Sequence, residues 1–307
     1  MPEHINEHMT CLICGGNKME NYYYPPVHFN NKIFKYYECQ SCRSAQINPM
    51  PDKSDYAKMY GLNEHKYLTQ LKEQEAVNFE RTYPKYNHQK YQIDFFSKYK
   101  YHLGGKTLLD YGCGSGFYMY HASKSGLVCT GIEFSAEFAD LLKQKTGMNI
   151  LTLDAIAGKT FDIIHLGHVL EHMENPNTTL QEMKKFANKD TIFIIDGPVE
   201  KNKCLTRFLI KTISLLKNKE FNTYAPQHLT FTNYYSQIKL FEKAGLMPLH
   251  YEVREQMFPL PEKFDFKKPI DSLLFIISRI SIIISALHLK WGNIFHYSGK
   301  LCNKAKL

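Results

Sequence analysis

The stretch Thr107–Gly116, TLLDYGCGSG, decides how the chain is read. An apolar run of strand character stops at Asp110, and Gly112, Gly114 and Gly116 then occupy every second position. One glycine suffices for a turn. Three within five residues imply that something approaches the main chain closely, because a residue without Cβ leaves its backbone N–H groups accessible. The spacing is GxGxG and not the GxGxxG of dinucleotide-binding turns.

Outward from this turn, strand-like and helix-like stretches alternate from Lys106 onward, as in a parallel sheet covered on both faces. Strands are expected at Thr107–Tyr111, Val128–Glu133, Asn149–Leu153, Phe161–Leu166, Thr191–Asp196 and about Met247–Val253. Helices are expected at about Gly116–Ser125, Ala136–Thr146, Thr178–Ala187 and Tyr234–Ala244, the last stopped by Gly245. In open sheets of this kind the ligand sits at the carboxyl ends of the strands. Three acids fall there. Asp110 ends the first strand, Glu133 ends the second seventeen residues beyond Gly116, and Asp154 ends the third. A carboxylate at Glu133 can accept both hydroxyls of a ribose, Asp154 can meet an adenine amino group, and Asp110 can orient the glycine loop or meet a cationic amino group. Each alone is equally a solvated strand end or helix cap; three at successive strand ends are harder to dismiss.

On these residues the chain resembles a known family. LLDYGCGSGFYMYHASKSGLVCTGIEFS is similar to motif I and the acidic loop of class I S-adenosylmethionine-dependent methyltransferases. FDIIHLGHVLEHMENPNTTLQEM resembles their fourth-strand segment, where a "vLEH" signature is common, and the similarity covers about residues 86–253. The resemblance implies an α/β, doubly wound, Rossmann-like fold with a seven-stranded sheet, and S-adenosyl-L-methionine as cofactor. It also implies that Asp110, Gly112, Cys113, Gly114 and Gly116 line the methionine end and that Glu133 and Phe134 hold the ribose. Asp154 and Ala155 would flank the adenine, with Leu166, Gly167 and His168 beneath the sulfonium. One departure is mild: after Asp196 the usual glycine-rich turn reads DGPVE. A sulfonium methyl is already activated, so such an enzyme chiefly aligns a nucleophile and removes its proton. The candidate bases are His168 and His172, four apart in HVLEH, and His228 in APQHLTF. His168 and His228 are preferred, since a purely structural hydrogen bond accounts equally well for His172.

Cys11-Leu-Ile-Cys14 and Cys39-Gln-Ser-Cys42 are two CxxC knuckles separated by 24 residues. Four thiolates so arranged fit tetrahedral zinc, structural and not catalytic because no coordination position stays open. The intervening loop is slightly longer than the usual ribbon spacing. YYECQSCRSAQINPMPDKSDYAKMY resembles the zinc-ribbon head that precedes certain methyltransferase domains. That group includes enzymes acting on nucleotide-linked sugars, on surface glycans and in antibiotic pathways. Cys113, Cys129, Cys204 and Cys302 sit singly and read as packing residues.

Four segments are expected: a zinc-ribbon head at 1–50, a helical connector at 51–103, a core at 104–255 with an insertion at 197–233, and a C-terminal amphipathic helical extension at 256–307. The N-terminal MPEHINEHMTC lacks the apolar core of a signal peptide, so reduced cysteines and a cytoplasmic location are expected. The net charge of +8 permits attraction to phosphates, nucleic acid or an anionic membrane without proving any. Within 201–219 there are six basic and no acidic residues. Leu205, Phe208, Leu209, Ile213 and Leu216 would share one helical face there, able to rest on a membrane, cover an anionic substrate or pack on the sheet. Residues 270–289 form the most apolar run, interrupted by Asp271 and Arg279. It reads as an amphipathic helix against the core, a second subunit or the inner membrane face, borderline for the ~20 apolar residues of a span.

The function expected from the resemblance is methyl transfer from S-adenosylmethionine to an anionic small molecule, a nucleotide-linked sugar or a surface-glycan precursor. An RNA methyltransferase is the second reading, since a zinc ribbon and positive charge suit nucleic acid. The fourth strand, however, lacks both an Asn/Asp-Pro-Pro-aromatic turn and a Pro-Cys pair. A non-enzymatic zinc-ribbon module is a third reading. A nicotinamide oxidoreductase is disfavoured by the glycine spacing.

Overall fold

The computed structural model describes residues 9–60, 79, 104–205, 208, 226–256, 263–287 and 290–302. Most of the basic amphipathic segment of the insertion and most of the connector lie outside the described residues.

The head folds as short antiparallel strands, β1 (Met19–Asn21), β2 (Val27–Phe29), β3 (Lys32–Cys39) and β4 (Ala45–Asn48), followed by helix α1 (Lys53–Tyr60). The core then runs β5 (Thr107–Tyr111), α2 (Phe117–Lys124), β6 (Val128–Ile132), α3 (Ala136–Thr146), β7 (Ile150–Leu151), β8 (Phe161–Gly167), α4 (Pro176–Met183), β9 (Ala187–Pro198), β10 (Thr230–Phe231), α5 (Tyr234–Lys243), β11 (Leu246–Arg254), α6 (Pro269–Leu287) and β12 (Ile294–Leu301). The helix ends follow local chemistry. Ser135 accepts from the Phe138 N–H and Gly147 closes α3 in the left-handed conformation, Asn175 caps α4 ahead of Pro176, and Asn233 forms a capping box with Ser236 at α5.

The main sheet has seven strands in the order β11-β12-β9-β8-β5-β6-β7. Strands β5 to β9 pair in parallel, while β12 runs antiparallel to both its neighbours. The expected helical extension at 256–307 therefore holds a sheet strand, and the core does not close at residue 255. Ile294–Leu301 slots between β9 and β11, burying Phe295 and Tyr297. In NIFHYSGKL, Phe295, Tyr297 and Leu301 alternate with His296, Ser298 and Lys300, the pattern of a half-exposed strand, whereas His296 and Ser298 are in fact buried.

Side chains alternate across a strand, so each strand serves both faces. Leu109, Tyr111, Ile164, Leu166, Phe193 and Ile195 join the main core with Leu180, Met183, Leu240 and Phe241 of α4 and α5. Leu108, Ile163, Ile192 and Ile194 pack on the opposite face with Tyr118 and Ala122 of α2. Full burial of each such aliphatic side chain contributes about 1.5–3 kcal/mol. The same alternation sends Asp110, His165 and Asp196 to the α2 face, in the strand register that pairs Asp110 with His165.

Two features tie the periphery to this frame. Strand β10, from beyond the insertion, pairs with β4 and so completes the head sheet β1-β3-β4-β10, with β2 on the far side of β3. Helix α6 is turned inside out. Ser272, Ser278, Ser281 and Ser285 are buried, whereas Ile270, Leu273, Ile276, Ile280, Ile283 and Leu287 are exposed. Ser281 donates to Glu255 Oε2 at 2.9 Å and Ser285 Oγ accepts the Glu255 N–H at 2.7 Å. Among the described residues this is the one helix long and apolar enough to cross a membrane, judged by length and composition alone.

Candidate functional site

The glycine turn has the backbone its sequence calls for: Gly112, Gly114 and Gly116 have φ of 75°, 50° and 73°. Their surroundings differ. A Cβ on Gly112 would stand 2.7 Å from Val169 Cγ2, and one on Gly116 would stand 2.5 Å from Met148 Sδ. At Gly114 a Cβ would meet nothing within 4 Å. The outer glycines are thus demanded by packing, and the middle one faces open space. Its N–H donates to Glu133 Oε2 at 3.0 Å, and Glu133 Oε1 accepts the Ser135 N–H at 3.1 Å. Burial raises the pKa of Glu133 in spite of these donors. Phe134 is exposed and edge-on to Tyr111, with ring centroids 5.1 Å apart.

Asp154 and Ala155 lie exposed on a short 3-10 turn after β7, at the rim of the same sheet end. Cys113 is buried, and burial pushes its thiol pKa up. Leu166 is fully buried in the main core, so only its main chain can serve a ligand; Gly167 is partly exposed. Cys129 is half-buried and Cys204 is buried, its Sγ 2.8 and 2.9 Å from the Glu255 carboxylate oxygens. Cys302 differs from the expected packing role, being exposed where β12 ends.

Below the turn lies a buried charge relay that inspection of the sequence missed. His165 Nδ1 is 2.7 Å from Asp110 Oδ1 and its Nε2 is 3.3 Å from Asp196 Oδ1, with the ring stacked on Tyr118 at 3.5 Å. Burial by itself lowers the pKa of this imidazole, but the two carboxylates more than offset it and raise the value to about 9. His165 is therefore an imidazolium at neutral pH, donating from both nitrogens. Asp196 is buried too, which pushes its pKa up, yet His165 holds it down at about 2. Asp110 Oδ2 is buried without a hydrogen-bond partner among the described residues. A histidine inside the apolar run FDIIHLG, flanked by strands ending in aspartate, was the available signal.

The three expected histidines do come together. His168 sits one residue from the Val169–Gly112 contact with a left-handed φ of 54°, rare outside glycine. Its Nδ1 is 3.5 Å from Glu171 Oε1 and its Nε2 is 3.6 Å from Asp196 Oδ2. Burial lowers its pKa, but the Glu171 carboxylate reverses that and leaves it raised. His172 Nδ1 lies 2.9 Å from the Gln227 carbonyl and 3.1 Å from the Tyr60 hydroxyl, and burial drops its pKa to about 4. His228 Nδ1 bonds the Glu200 carboxylate, and its ring stands edge-on to His172 at 4.8 Å. Glu171, Glu200 and Tyr60 complete this ring and were also unforeseen. Leu229 N–H donates to the Glu171 carbonyl at 2.7 Å, strapping the APQHLTF segment over HVLEH.

The four knuckle cysteines converge as well. Cys11 and Cys42 sulfurs are 3.6 Å apart, as are those of Cys14 and Cys39, and all four lie within 4.8 Å of one another. Thiolates about 2.3 Å from one tetrahedral zinc stand roughly 3.8 Å apart, so the cluster could hold such an ion.

A family model described as a methyltransferase domain matches residues 84–251, more than half of the chain. The chain belongs to this methyltransferase family. Among curated relatives of the methyltransferase, the ubiquinone biosynthesis O-methyltransferase of Actinobacillus pleuropneumoniae is 27% identical over 115 residues, covering 33% of this chain and 49% of the relative. That of Coxiella burnetii is 34% identical over 91 residues, covering 26% and 38%. The chain spans about half the length of the curated relatives it matches, or less. Among solved structures, the magnesium protoporphyrin IX methyltransferase of Synechocystis with bound SAH superposes with a TM-score of 0.52 at 15% identity, over 81% of this chain and 100% of that one. The [4+2]-cyclase SpnF superposes at 0.51 and 14% identity, over 83% and 98%. At such identities the likeness shows the class I methyltransferase fold alone, and the cyclase is a reminder that this architecture does not fix the reaction.

Proposed function

We propose that this methyltransferase moves a methyl group from S-adenosylmethionine to a hydroxyl oxygen of a small anionic molecule, of the nucleotide-linked sugar or surface-glycan class. The observation that carries the reading is the juxtaposition of an open, carboxylate-braced Gly114 with His168, which directly precedes the Val169 that packs on Gly112, and with the neighbouring His172–His228 pair. The donor fits what is present. Gly114 leaves its backbone approachable, Glu133 offers a carboxylate to a ribose, and the orphaned Asp110 Oδ2 offers a buried acceptor to a cationic amino group. When bound, S-adenosylmethionine supplies a methyl already activated on sulfur, and the protein's part is alignment. Oxygen is favoured as acceptor because an imidazole, the side chain best suited to taking a hydroxyl proton near neutral pH, is partly exposed here at His168. The partly matched relatives also bear the name O-methyltransferase. His168, with 31% of its side chain exposed and a strained backbone, is placed to take that proton. We assign the cysteine cluster to one structural zinc.

Two outcomes are expected. Gly114→Ala costs only about 1–2 kcal/mol of stability, the penalty for a left-handed non-glycine residue. It weakens S-adenosylmethionine binding at least tenfold by calorimetry, because its methyl points into the donor's space. Unaltered affinity would remove the donor from this turn. His168→Ala lowers kcat by roughly 10²–10⁴, as expected for loss of a general base, with donor affinity unchanged. The assay is turnover of methyl-labelled donor across sugar nucleotides, lipid-linked glycans and total RNA. Label incorporated into RNA alone would overturn the small-molecule substrate.

A further inference from the structure

Glu171, His172 and His228 each bring a donor atom to within 4.8 Å of the other two. Glu171 is 5% exposed, and its Oε1 is buried with no hydrogen-bond partner among the described residues. Leaving a buried acceptor unsatisfied costs about 1–3 kcal/mol and more for a charged one, so such an oxygen calls for an explanation. The nearest imidazole nitrogens, His168 Nδ1 at 3.5 Å and His172 Nε2 at 3.8 Å, are too far to donate well. The 3.8 Å between His172 Nε2 and Glu171 Oε1 is instead slightly longer than the edge of a coordination polyhedron. Donors about 2.0–2.2 Å from a shared ion stand roughly 3.0–3.6 Å apart in octahedral or tetrahedral geometry.

The groups behind the three side chains are those a metal site uses. His172 directs Nδ1–H to the Gln227 carbonyl, so the Nε2 that faces Glu171 carries the lone pair. His228 engages the Glu200 carboxylate through Nδ1, the arrangement that fixes a ligating histidine's tautomer and raises its basicity. Gly197 makes room for the carboxylate, since a Cβ there would stand 3.3 Å from Glu171 Oε2. His172 keeps 25% of its side chain exposed, leaving an entry path.

We propose that Glu171, His172 and His228 bind one divalent transition-metal ion, separate from the cysteine cluster. Two imidazoles and one carboxylate suit iron, cobalt or zinc better than calcium or magnesium. Three protein ligands leave positions open, which four thiolates do not. On the methyl-transfer reading above, the ion holds the acceptor hydroxyl and lowers its pKa. The O–H bond breaks with its proton passing to His168, and the O–CH3 bond forms as the S–CH3 bond breaks, leaving a neutral thioether. Metal binding itself does not depend on that reading.

The test titrates the full chain with Co2+ after one equivalent of zinc has satisfied the cysteines. One further equivalent is expected, showing ligand-field absorption without thiolate charge transfer. Glu171→Gln, which preserves shape, should weaken that binding at least tenfold while leaving circular dichroism unchanged. His172→Asn is scored the same way and decides the matter if Glu171→Gln fails to fold. No second equivalent in the unsubstituted chain, or one that both variants retain, overturns the site. Because the readout is cobalt absorption without donor or substrate, this failure is distinct from a failure of the methyl-transfer reading, which Gly114→Ala and the substrate panel test.

Discussion

His165→Leu destabilises the protein by about 3–5 kcal/mol, the usual cost of removing one partner from a buried ionic group. The histidine is 2% exposed, and without it Asp110 and Asp196 face each other across β8 with no cation between them. Stacking on Tyr118 is lost at the same time. Adding Asp196→Asn to His165→Leu recovers part of the loss by removing one of the two stranded charges. A pH signature accompanies the change. The folded pKa of about 9 lies above the ordinary imidazole value of about 6.5, so the imidazolium's contribution is complete below about 6.5, declines as pH rises and is gone above about 9. The stability of the unsubstituted protein against denaturant should therefore fall across that interval, and His165→Leu should remove that slope. A flat profile in the parent protein, or a variant as stable as the parent, would dissolve the relay.

Cys39→Ser, or chelation of the proposed zinc, should lower the unfolding midpoint by about 10 °C or more, which corresponds to about 2.5–5 kcal/mol at about 2–4 °C per kcal/mol. Structural zinc typically contributes more than this, about 10–16 kcal/mol of apparent binding free energy. The effect reaches the site, because the head is bonded to it. Tyr36 Oη donates to the His228 carbonyl at 2.6 Å, Ile47 N–H donates to the Leu229 carbonyl at 2.9 Å, and Tyr36 stacks on Phe231 at 4.2 Å. Turnover should fall with the metal and return when zinc is restored. Metal analysis showing less than one zinc per chain in a fully stable, active protein would refute the assignment.

The parts of this molecule legible in its sequence are those set by local chemistry. The glycine turn needs left-handed backbone, the caps Ser135 and Asn233 announce helix starts, and strands β5, β6 and β8 end cleanly, whereas the helix expected from Thr178 begins at Pro176 behind its cap Asn175. What stayed hidden depends on partners far away in the chain. Strand β12 is recognisable only once β9 and β11 flank it. His165 looks like an ordinary strand residue until the register sets it beside Asp110 and near Asp196. Glu171 hid within the familiar LEH triplet, where the histidine draws the eye. The isoleucine stripe of α6 is visible in the sequence, but its outward orientation is not, because burial of Ser281 and Ser285 depends on Glu255.

The pairing of β4 with β10 carries a consequence for biosynthesis. Tyr36 and His228 are 192 positions apart, and β10 follows at Thr230–Phe231. A ribosome adding about 5–20 residues per second must work for on the order of ten seconds or longer between translating one strand and the other. Throughout that interval the nascent β4 presents an unpaired ladder, the kind of edge that recruits strangers. The head is translated ahead of the core yet completes its sheet only after β10 has followed.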